Sequence, residues 1–187
     1  MKKLDNNTIL VDEEDYLNKF KSLKKKKYIK YILKTNIKNN EELNAFVKAF
    51  NYKDLKKRYE YIYDYMCNYL DKNVCVLCDF KDNKCIGNRL KTSVHEKDGC
   101  CYFRKDGFCE FFDGKKCVNP NITCKLFMCC AAEKKLGYES VCNNYLLLNF
   151  FFNNVQKEIL EHSYKKKKEY TIDLLLKNTN SLLFIRK

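Results

Sequence analysis

Residues 55–70, Leu-Lys-Lys-Arg-Tyr-Glu-Tyr-Ile-Tyr-Asp-Tyr-Met-Cys-Asn-Tyr-Leu, carry a regular hydrophobic pattern. Large apolar side chains recur at spacings of four and three residues, at Leu55, Tyr59, Ile62, Met66 and Tyr69. This spacing places them on one face of an α-helix. The pattern lies in a longer helical segment, residues 41–70, which Asn39-Asn40 precedes as a plausible cap. The tyrosines resemble a base-stacking platform, but at helical spacing they favour core and interface packing.

Similar periodicity extends to both ends of the chain. Before residue 41, Tyr16, Phe20 and Leu23 predict a helix, and Tyr28, Tyr31 and Ile32 continue its apolar face less regularly. After residue 140, one buried helix is predicted from the 4,3,4,3,4 spacing of Val141, Tyr145, Leu148, Phe152, Val155 and Ile159. At the C-terminus, Tyr170–Leu176 and Leu182–Ile185 flank a polar stretch, which predicts a β-hairpin.

We therefore predict a mainly α protein (α+β with minor β), in which helices pack around a small cysteine-rich metal-binding module with short hairpins. Three regions are expected. Residues 1–73 are an N-terminal helical region, and residues 74–142 are the cysteine-rich module. Residues 143–187 form a buried helix and tail that pack with 1–73 as one globular unit.

The chain of 187 residues is basic, with a formal net charge of +13. Two lysine runs, Lys24–Lys27 and Lys165–Lys168, indicate either a phosphate-binding patch or solvated helix ends. The chain has 33 Lys but only four Arg, and bidentate phosphate and base recognition favour Arg. We therefore favour solvated helix ends, and nucleic acid stays an open but less favoured partner.

The N-terminus lacks the apolar segment of a secretory signal peptide, and no stretch approaches the roughly 18 apolar residues of a membrane span. We expect a cytoplasmic protein without a membrane span.

Eleven of the twelve cysteines lie between residues 75 and 142. Such a density indicates either a disulfide framework or a metal site. A cytoplasmic location disfavours disulfides because the thiol pool keeps them reduced, so metal binding is the better interpretation. The predicted ligands are Cys75, Cys78, Cys85, Cys100, Cys101, Cys109, Cys117, Cys124, Cys129 and Cys130. The other two cysteines, Cys67 and Cys142, are interpreted as core residues.

Local spacing supports ligation by these cysteines. Cys75-Val76-Leu77-Cys78 is a C-x2-C pair, which lets one tight turn direct two sulfurs at one metal. Cys101 and Cys109 each begin a unit of aromatic residues and Asp-Gly that ends at the next cysteine. Because Asp-Gly favours a turn, each unit should be a hairpin-like loop, which brings Cys101, Cys109 and Cys117 close together.

A short helix is predicted from Cys124 to Leu136, with Thr123 as its N-cap and Gly137 as its C′ residue. Cys124 would lie in its first turn, where free N–H groups stabilise a thiolate.

The elements Gly107-x-Cys109-x-Phe111-Phe112 and Pro120-x3-Cys124-Lys125-Leu126-Phe127 carry a family resemblance. They resemble the second half of the zinc- or iron-chelating CxxCxxCC family, which includes flagellin lysine methyltransferase-like proteins. The opening CxxCxxCC of that family would correspond to Cys75, Cys78 and the Cys100-Cys101 pair, with 21 residues between Cys78 and Cys100 here. The resemblance covers only the cysteine-rich middle of the chain. It implies metal chelation, and no catalytic residue carries over from it.

Ten neighbouring cysteines exceed one four-ligand site and permit two. Both Zn²⁺ and an Fe–S cluster suit thiolate ligands, and the sequence leaves the metal open. His95 is interpreted as a solvated loop residue, and His162 as a surface residue at a helix C-terminus.

Three functions are compatible with these patterns. The first is a structural or accessory metal-binding module, with a metal ion and an unidentified protein as partners. The second is an Fe–S redox or protein-modification enzyme, for which no catalytic constellation is visible. The third is a nucleic-acid-binding zinc module with basic helical arms. In each case we expect the 74–142 segment to need metal for its fold, because its apolar content is too small to offset the entropy of ordering it.

Overall fold

The computed structural model describes residues 2–11, 31–77, 80–81, 84–85, 103–104, 107–113, 117–127, 137 and 145–179. The architecture is mainly helical with a small amount of strand, which confirms the predicted fold class. None of the helices in this described part of the chain is long and apolar enough to cross a bilayer.

The helices in chain order are α1 (Glu41–Asn51), α2 (Leu55–Asn73), α3 (Ile122–Leu126), α4 (Leu146–Phe151), α5 (Asn154–His162) and α6 (Lys168–Lys177). A 3-10 turn, Cys75–Leu77, follows α2. The strands are β1 (Lys2–Lys3), β2 (Thr8–Val11), β3 (Ile32–Thr35), β4 (Phe80–Lys81), β5 (Lys84–Cys85), β6 (Phe103–Arg104) and β7 (Gly107–Phe108). Strand β2 pairs antiparallel with β1 and parallel with β3, whereas β4–β5 and β6–β7 are short antiparallel pairs.

Helices α1 and α2 occupy the segment that the sequence predicts as one helical stretch. As predicted, Asn40 caps α1: its side chain accepts a hydrogen bond from an N–H in the first turn at 2.9 Å. The chain leaves the helix after Asn51, whose side-chain amide bonds to both the N–H (2.9 Å) and the carbonyl (2.8 Å) of Leu33 in β3. Asp54 then caps α2 from its own side chain. The stretch is divided because these short polar side chains bond to backbone groups and compete with a continuous helix.

Helix α2 lies at the centre of the hydrophobic core. Tyr59, Ile62 and Met66 of the predicted stripe are almost completely buried, and Leu55 and Tyr69 are half-buried. Helices α1, α3, α4, α5 and α6 and strands β2 and β3 contribute apolar side chains to the same core. Segments from both sides of the cysteine-rich region, and α3 within it, therefore share one core.

A buried arginine joins the end of α1 to α2. Arg58 donates from Nε to the Ala49 carbonyl at 3.0 Å and from Nη2 to the carbonyls of Phe50 and Tyr52. Its guanidinium also lies 5.7 Å from the centroid of the Phe151 ring. A cation at the last carbonyls of a helix is stabilised by the helix dipole, so Arg58 fixes the angle between the two helices.

The N-terminal segment differs from the predicted helical region. The parallel strands β2 and β3 are Thr8–Val11 and Ile32–Thr35. The sequence pattern predicts Ile32 on a helix face, but the structure places it on a strand. Both strands contain β-branched residues, which favour the extended conformation once a partner strand is present. Tyr31, also predicted on that helix face, precedes β3 and is not helical. The other residues of the predicted first helix, Tyr16, Phe20, Leu23 and Tyr28, lie outside the described part of the chain.

The prediction of a single helix after residue 140 is wrong. The structure contains two helices, α4 and α5, in its place. Asn153 separates them with a capping box. Its Oδ1 accepts from the Gln156 N–H at 2.9 Å, and the Gln156 Oε1 accepts from the Asn153 N–H at 3.0 Å. Because a new helix begins at Asn154, the apolar residues before and after it no longer share one helix face. Val155 is therefore 49% exposed. Val141 and Cys142 lie outside the described residues.

The predicted C-terminal β-hairpin is wrong in its first half, because Tyr170–Leu176 lies within α6. Thr171, Ile172 and Leu175 are buried at helical spacing, and packing of α6 against α2 and α5 stabilises the helix. The second half, Leu182–Ile185, lies outside the described residues.

Gln156 is a buried polar link among α2, α5 and the end of α6. Its Nε2 lies within hydrogen-bond distance of the Tyr59 hydroxyl (2.9 Å), the Leu175 carbonyl (2.8 Å) and the Thr179 hydroxyl (3.2 Å).

We predict that Gln156→Ala lowers the free energy of unfolding by about 2 kcal/mol, because buried partners lose their donor. Urea denaturation measures this change.

Val155→Ala on the same helix is the matched control. This exposed residue should change the free energy of unfolding by less than about 0.5 kcal/mol. If both variants lowered the free energy of unfolding equally, Gln156 and Val155 would not differ in burial. That result would contradict a new helix beginning after Asn153.

Candidate metal centre

One side of α2 contacts residues 120–125, which include Cys124 and most of α3. Tyr63, Cys67 and Asp71, at four-residue spacing, contact this segment, and we refer to them as the docking stripe. The Tyr63 hydroxyl accepts from the Ile122 N–H at 3.0 Å, and the Cys67 thiol donates to the Pro120 carbonyl at 3.6 Å.

The third contact of the docking stripe is an ion pair between Asp71 and Lys125. The Lys125 side chain is 3% exposed and that of Asp71 is 35% exposed. A buried ammonium without a partner is costly, so this pair fixes the position of α3 against α2.

Cys67 is a core thiol, as the sequence predicts. Burial raises the pKa of the Cys67 thiol to about 12, while the Lys125 ammonium acts in the opposite direction and the Asp71 carboxylate adds to the rise. Cys67 is therefore neutral and serves as a hydrogen-bond donor and a packed side chain.

The described residues on either side of each Asp-Gly unit pair antiparallel, in agreement with the predicted hairpin-like loops. Phe103 pairs with Phe108 in β6–β7, so the chain reverses before Cys109. In the second unit, Phe112 and Cys117 form an antiparallel bridge, and the Phe112 N–H donates to the Cys109 carbonyl at 2.9 Å. The second loop therefore returns Cys117 to the neighbourhood of Cys109.

Cys75, Cys109 and Cys117 pack together, and we call them the cysteine cluster. Their exposed fractions are 6%, 9% and 8%, and Phe111 and Phe112 pack against them. Burial raises the pKa of the Cys117 thiol; a backbone hydrogen bond at Asn119 opposes that rise and the charge of Cys109 adds to it. Three predicted ligands thus converge from two segments, in surroundings where thiolates need a compensating cation.

Cys124 lies on α3 and is the next cysteine after Cys117 in the sequence. The Asn119 amide donates to its sulfur, with Nδ2 and Sγ 3.3 Å apart. The cap of α3 is Asn121 and not Thr123, because the Asn121 Oδ1 accepts from the Thr123 N–H at 2.8 Å and from the Cys124 N–H at 3.4 Å. The predicted extent of this helix is also wrong, since α3 ends at Leu126.

Asn121 is a structural residue that the sequence analysis missed. Its Nδ2 donates to the carbonyls of Ser163 (3.0 Å) and Lys166 (2.7 Å), so it ties α3 to the loop between α5 and α6. The Asn-Pro-Asn sequence before α3 suggests a cap, but the partner loop lies more than 40 positions away in the chain. Local spacing alone does not reveal such a contact.

Several predicted ligands are not described in the structure. The backbone of Cys85 pairs with Phe80 across the β4–β5 hairpin, and nothing further of its side chain is described. The predicted ligands that lie outside the described residues are Cys78, Cys100, Cys101, Cys129 and Cys130, together with His95.

Another group of side chains brings three potential metal-ligand atoms close together. Among the residues that the structure describes, Glu158, Glu161 and His162 of α5 are the three whose ligand atoms all lie within 4.8 Å of one another. The Glu158 and His162 side chains are 68% and 70% exposed, in agreement with a surface role for His162. The three sulfurs of the cysteine cluster do not lie this close together.

Comparison of the chain with protein-family models, with curated proteins and with solved structures finds no match. Its function must therefore be inferred from the chemistry of these residues.

We predict that Cys67 resists alkylation by iodoacetamide in the native protein at about pH 8, because a thiol whose pKa is raised to about 12 has very little thiolate there. Its reactivity should increase as the pH rises toward the raised pKa, and unfolding should restore ordinary reactivity. Differential isotope labelling followed by peptide mass spectrometry measures the rate. Rapid labelling of Cys67 in folded protein would contradict its position in the core.

Proposed function

We propose that this protein binds zinc or an iron–sulfur cluster through cysteine thiolates and acts as a structural or accessory module. The observation that carries the proposal is the convergence of Cys75, Cys109 and Cys117. Cys109 and Cys117 are free thiols, which leaves both available as ligands. We expect the cytoplasm, where the thiol pool keeps cysteines reduced.

Metal ligation accounts for the cluster better than simple packing does. A valine or leucine would bury more apolar surface at the same positions without an ionisable group. Thiolates at Cys109 and Cys117 would repel each other, whereas a shared cation makes both favourable. The Asn119 amide that donates to Cys124 resembles the hydrogen bonds that orient ligands in metal sites.

A complete site needs more than the three cysteines of the cluster. Structural zinc takes four ligands, and the sequence supplies further cysteines next to each member of the cluster. Cys78 follows Cys75 by three residues, and Cys101 precedes Cys109 by eight. We infer that cysteines from these neighbouring positions complete one or two sites.

Metal analysis of anaerobically purified protein is the direct test. We predict stoichiometric zinc in a colourless protein, or iron and sulfide in a brown protein that absorbs near roughly 400 nm. Cys109→Ser should lower the metal content, because it removes a ligand from the centre of the cluster. Protein without bound metal would contradict the proposal.

Cys67→Ser is the matched control, since this cysteine is also buried but contacts the Pro120 carbonyl and lies in the main core. It should leave the metal content unchanged and lower only the stability. Equal metal loss in the two variants would show that the effect arises from unfolding and not from ligation.

A further inference from the structure

A cavity of about 490 Å³ lies where the cysteine-rich segment meets the loop before α6. One wall is the lysine run and its neighbour, residues 165–169. The other wall consists of residues 110–111 and 119–121, and Tyr63 of the docking stripe also lines the cavity. This volume is within the range of small-molecule sites in proteins, roughly 300–1,000 Å³.

The lining of the cavity carries excess positive charge. Four lysines face two glutamates, Glu110 and Glu169, in the set of lining residues. Lys168 is paired with Asp64 at 2.6 Å. Within the described part of the chain, no ion pair engages Lys165 or Lys167, and both side chains are exposed and therefore accessible to an anion.

The position of these lysines is unfavourable for the helix itself. Lys167 is the N-cap of α6, and its side chain makes no capping hydrogen bond. The N-terminus of a helix has a partial positive charge, which disfavours cations and favours anions. As the prediction of solvated helix ends expects, Lys165, Lys166 and Lys167 are exposed. They lie, however, at the end of α6 where their charge does not stabilise the helix.

The loop is held in place and does not depend on an anion for its position. Asn121 bonds to the carbonyls of Ser163 and Lys166, and the Ser163 hydroxyl donates to the Ile159 carbonyl at 2.6 Å. A preorganised loop lowers the cost of binding a ligand.

The wall opposite the lysines is mixed. Glu110, Asn119 and Asn121 are polar, and the wall also contains the half-buried ring of Phe111 and the exposed ring of Pro120. The Phe111 ring offers a face for a planar group, because bases stack on aromatic side chains.

We propose that this cavity binds a small phosphorylated molecule of mononucleotide size, with its phosphate at Lys165 and Lys167 and its planar group against Phe111 and Pro120. Lysine serves here as a point charge for phosphate, a role that does not require arginine. The site is separate from the cysteine cluster, although Phe111 contacts both.

Isothermal titration calorimetry on the full chain, with its metal as purified, tests this proposal with adenosine 5′-monophosphate and adenosine as probes. We expect the monophosphate to bind at least about tenfold more tightly than adenosine, because charge-assisted hydrogen bonds to phosphate are strong. Lys165→Ala/Lys167→Ala should weaken monophosphate binding at least about tenfold for the same reason. Higher salt should also weaken it.

Lys56→Ala/Lys57→Ala is the matched control, since it removes the same charge from exposed positions in the first turn of α2. It should change the affinity by less than about twofold, as screened distant charges contribute little. Metal content is measured in every variant, and it should equal that of the wild type in both lysine pairs, which separates failure of this site from failure of the metal centre.

Three results would overturn the proposal. The first is the absence of monophosphate binding at about 1 mM, a concentration at which even weak specific sites are detected. The second is equal weakening by the two lysine pairs. The third is binding of a 12-nucleotide RNA alone, weakened equally by both pairs, which would indicate a non-specific polyanion surface.

Discussion

Helix α2 has two buried faces, and the rest of the described structure is arranged around that constraint. One face, with Tyr59, Ile62 and Met66, belongs to the hydrophobic core. The other is the docking stripe, which makes polar contacts with residues 120–125. Tyr63 and Cys67 of this stripe also belong to the main core, together with Ile122 and Leu126 of α3. The core therefore fixes both the start of the cysteine-rich segment, at the end of α2, and its return at α3. The proposed metal centre and the lysine-lined cavity both lie on that segment.

The described cysteines lie in two different surroundings. Cys67 is surrounded by core residues, donates its proton to a carbonyl and has a pKa raised to about 12 by burial. Cys109 and Cys117 are buried against each other, outside the main core. A neutral thiol is stable in the first environment, whereas the second is the one for which we propose metal ligation, because a cation would stabilise buried thiolates there.

Sequence patterns predicted the features that depend on local spacing. The stripe on α2, the Asn40 cap, the chain reversals at the two Asp-Gly units and the core position of Cys67 could all be derived from neighbouring residues. The strand Thr8–Val11, the clamp at Asn121 and the lysine-lined cavity depend on partners far away in the chain, which periodicity does not reveal. The break at Asn153 was visible in principle as Asn-x-x-Gln, but the long apolar stretch around it favoured a continuous helix.

Amide hydrogen exchange of the protein before and after treatment with a metal chelator tests the central claim most directly. The claim is that the core holds α2 and α3, and that metal holds the loops that carry Cys109 and Cys117. We predict that peptides covering residues 107–117 lose protection when the metal is removed, while peptides covering 41–73 and 145–179 keep theirs. Unchanged protection of 107–117 in metal-free protein, or simultaneous loss in all three regions, would contradict this account.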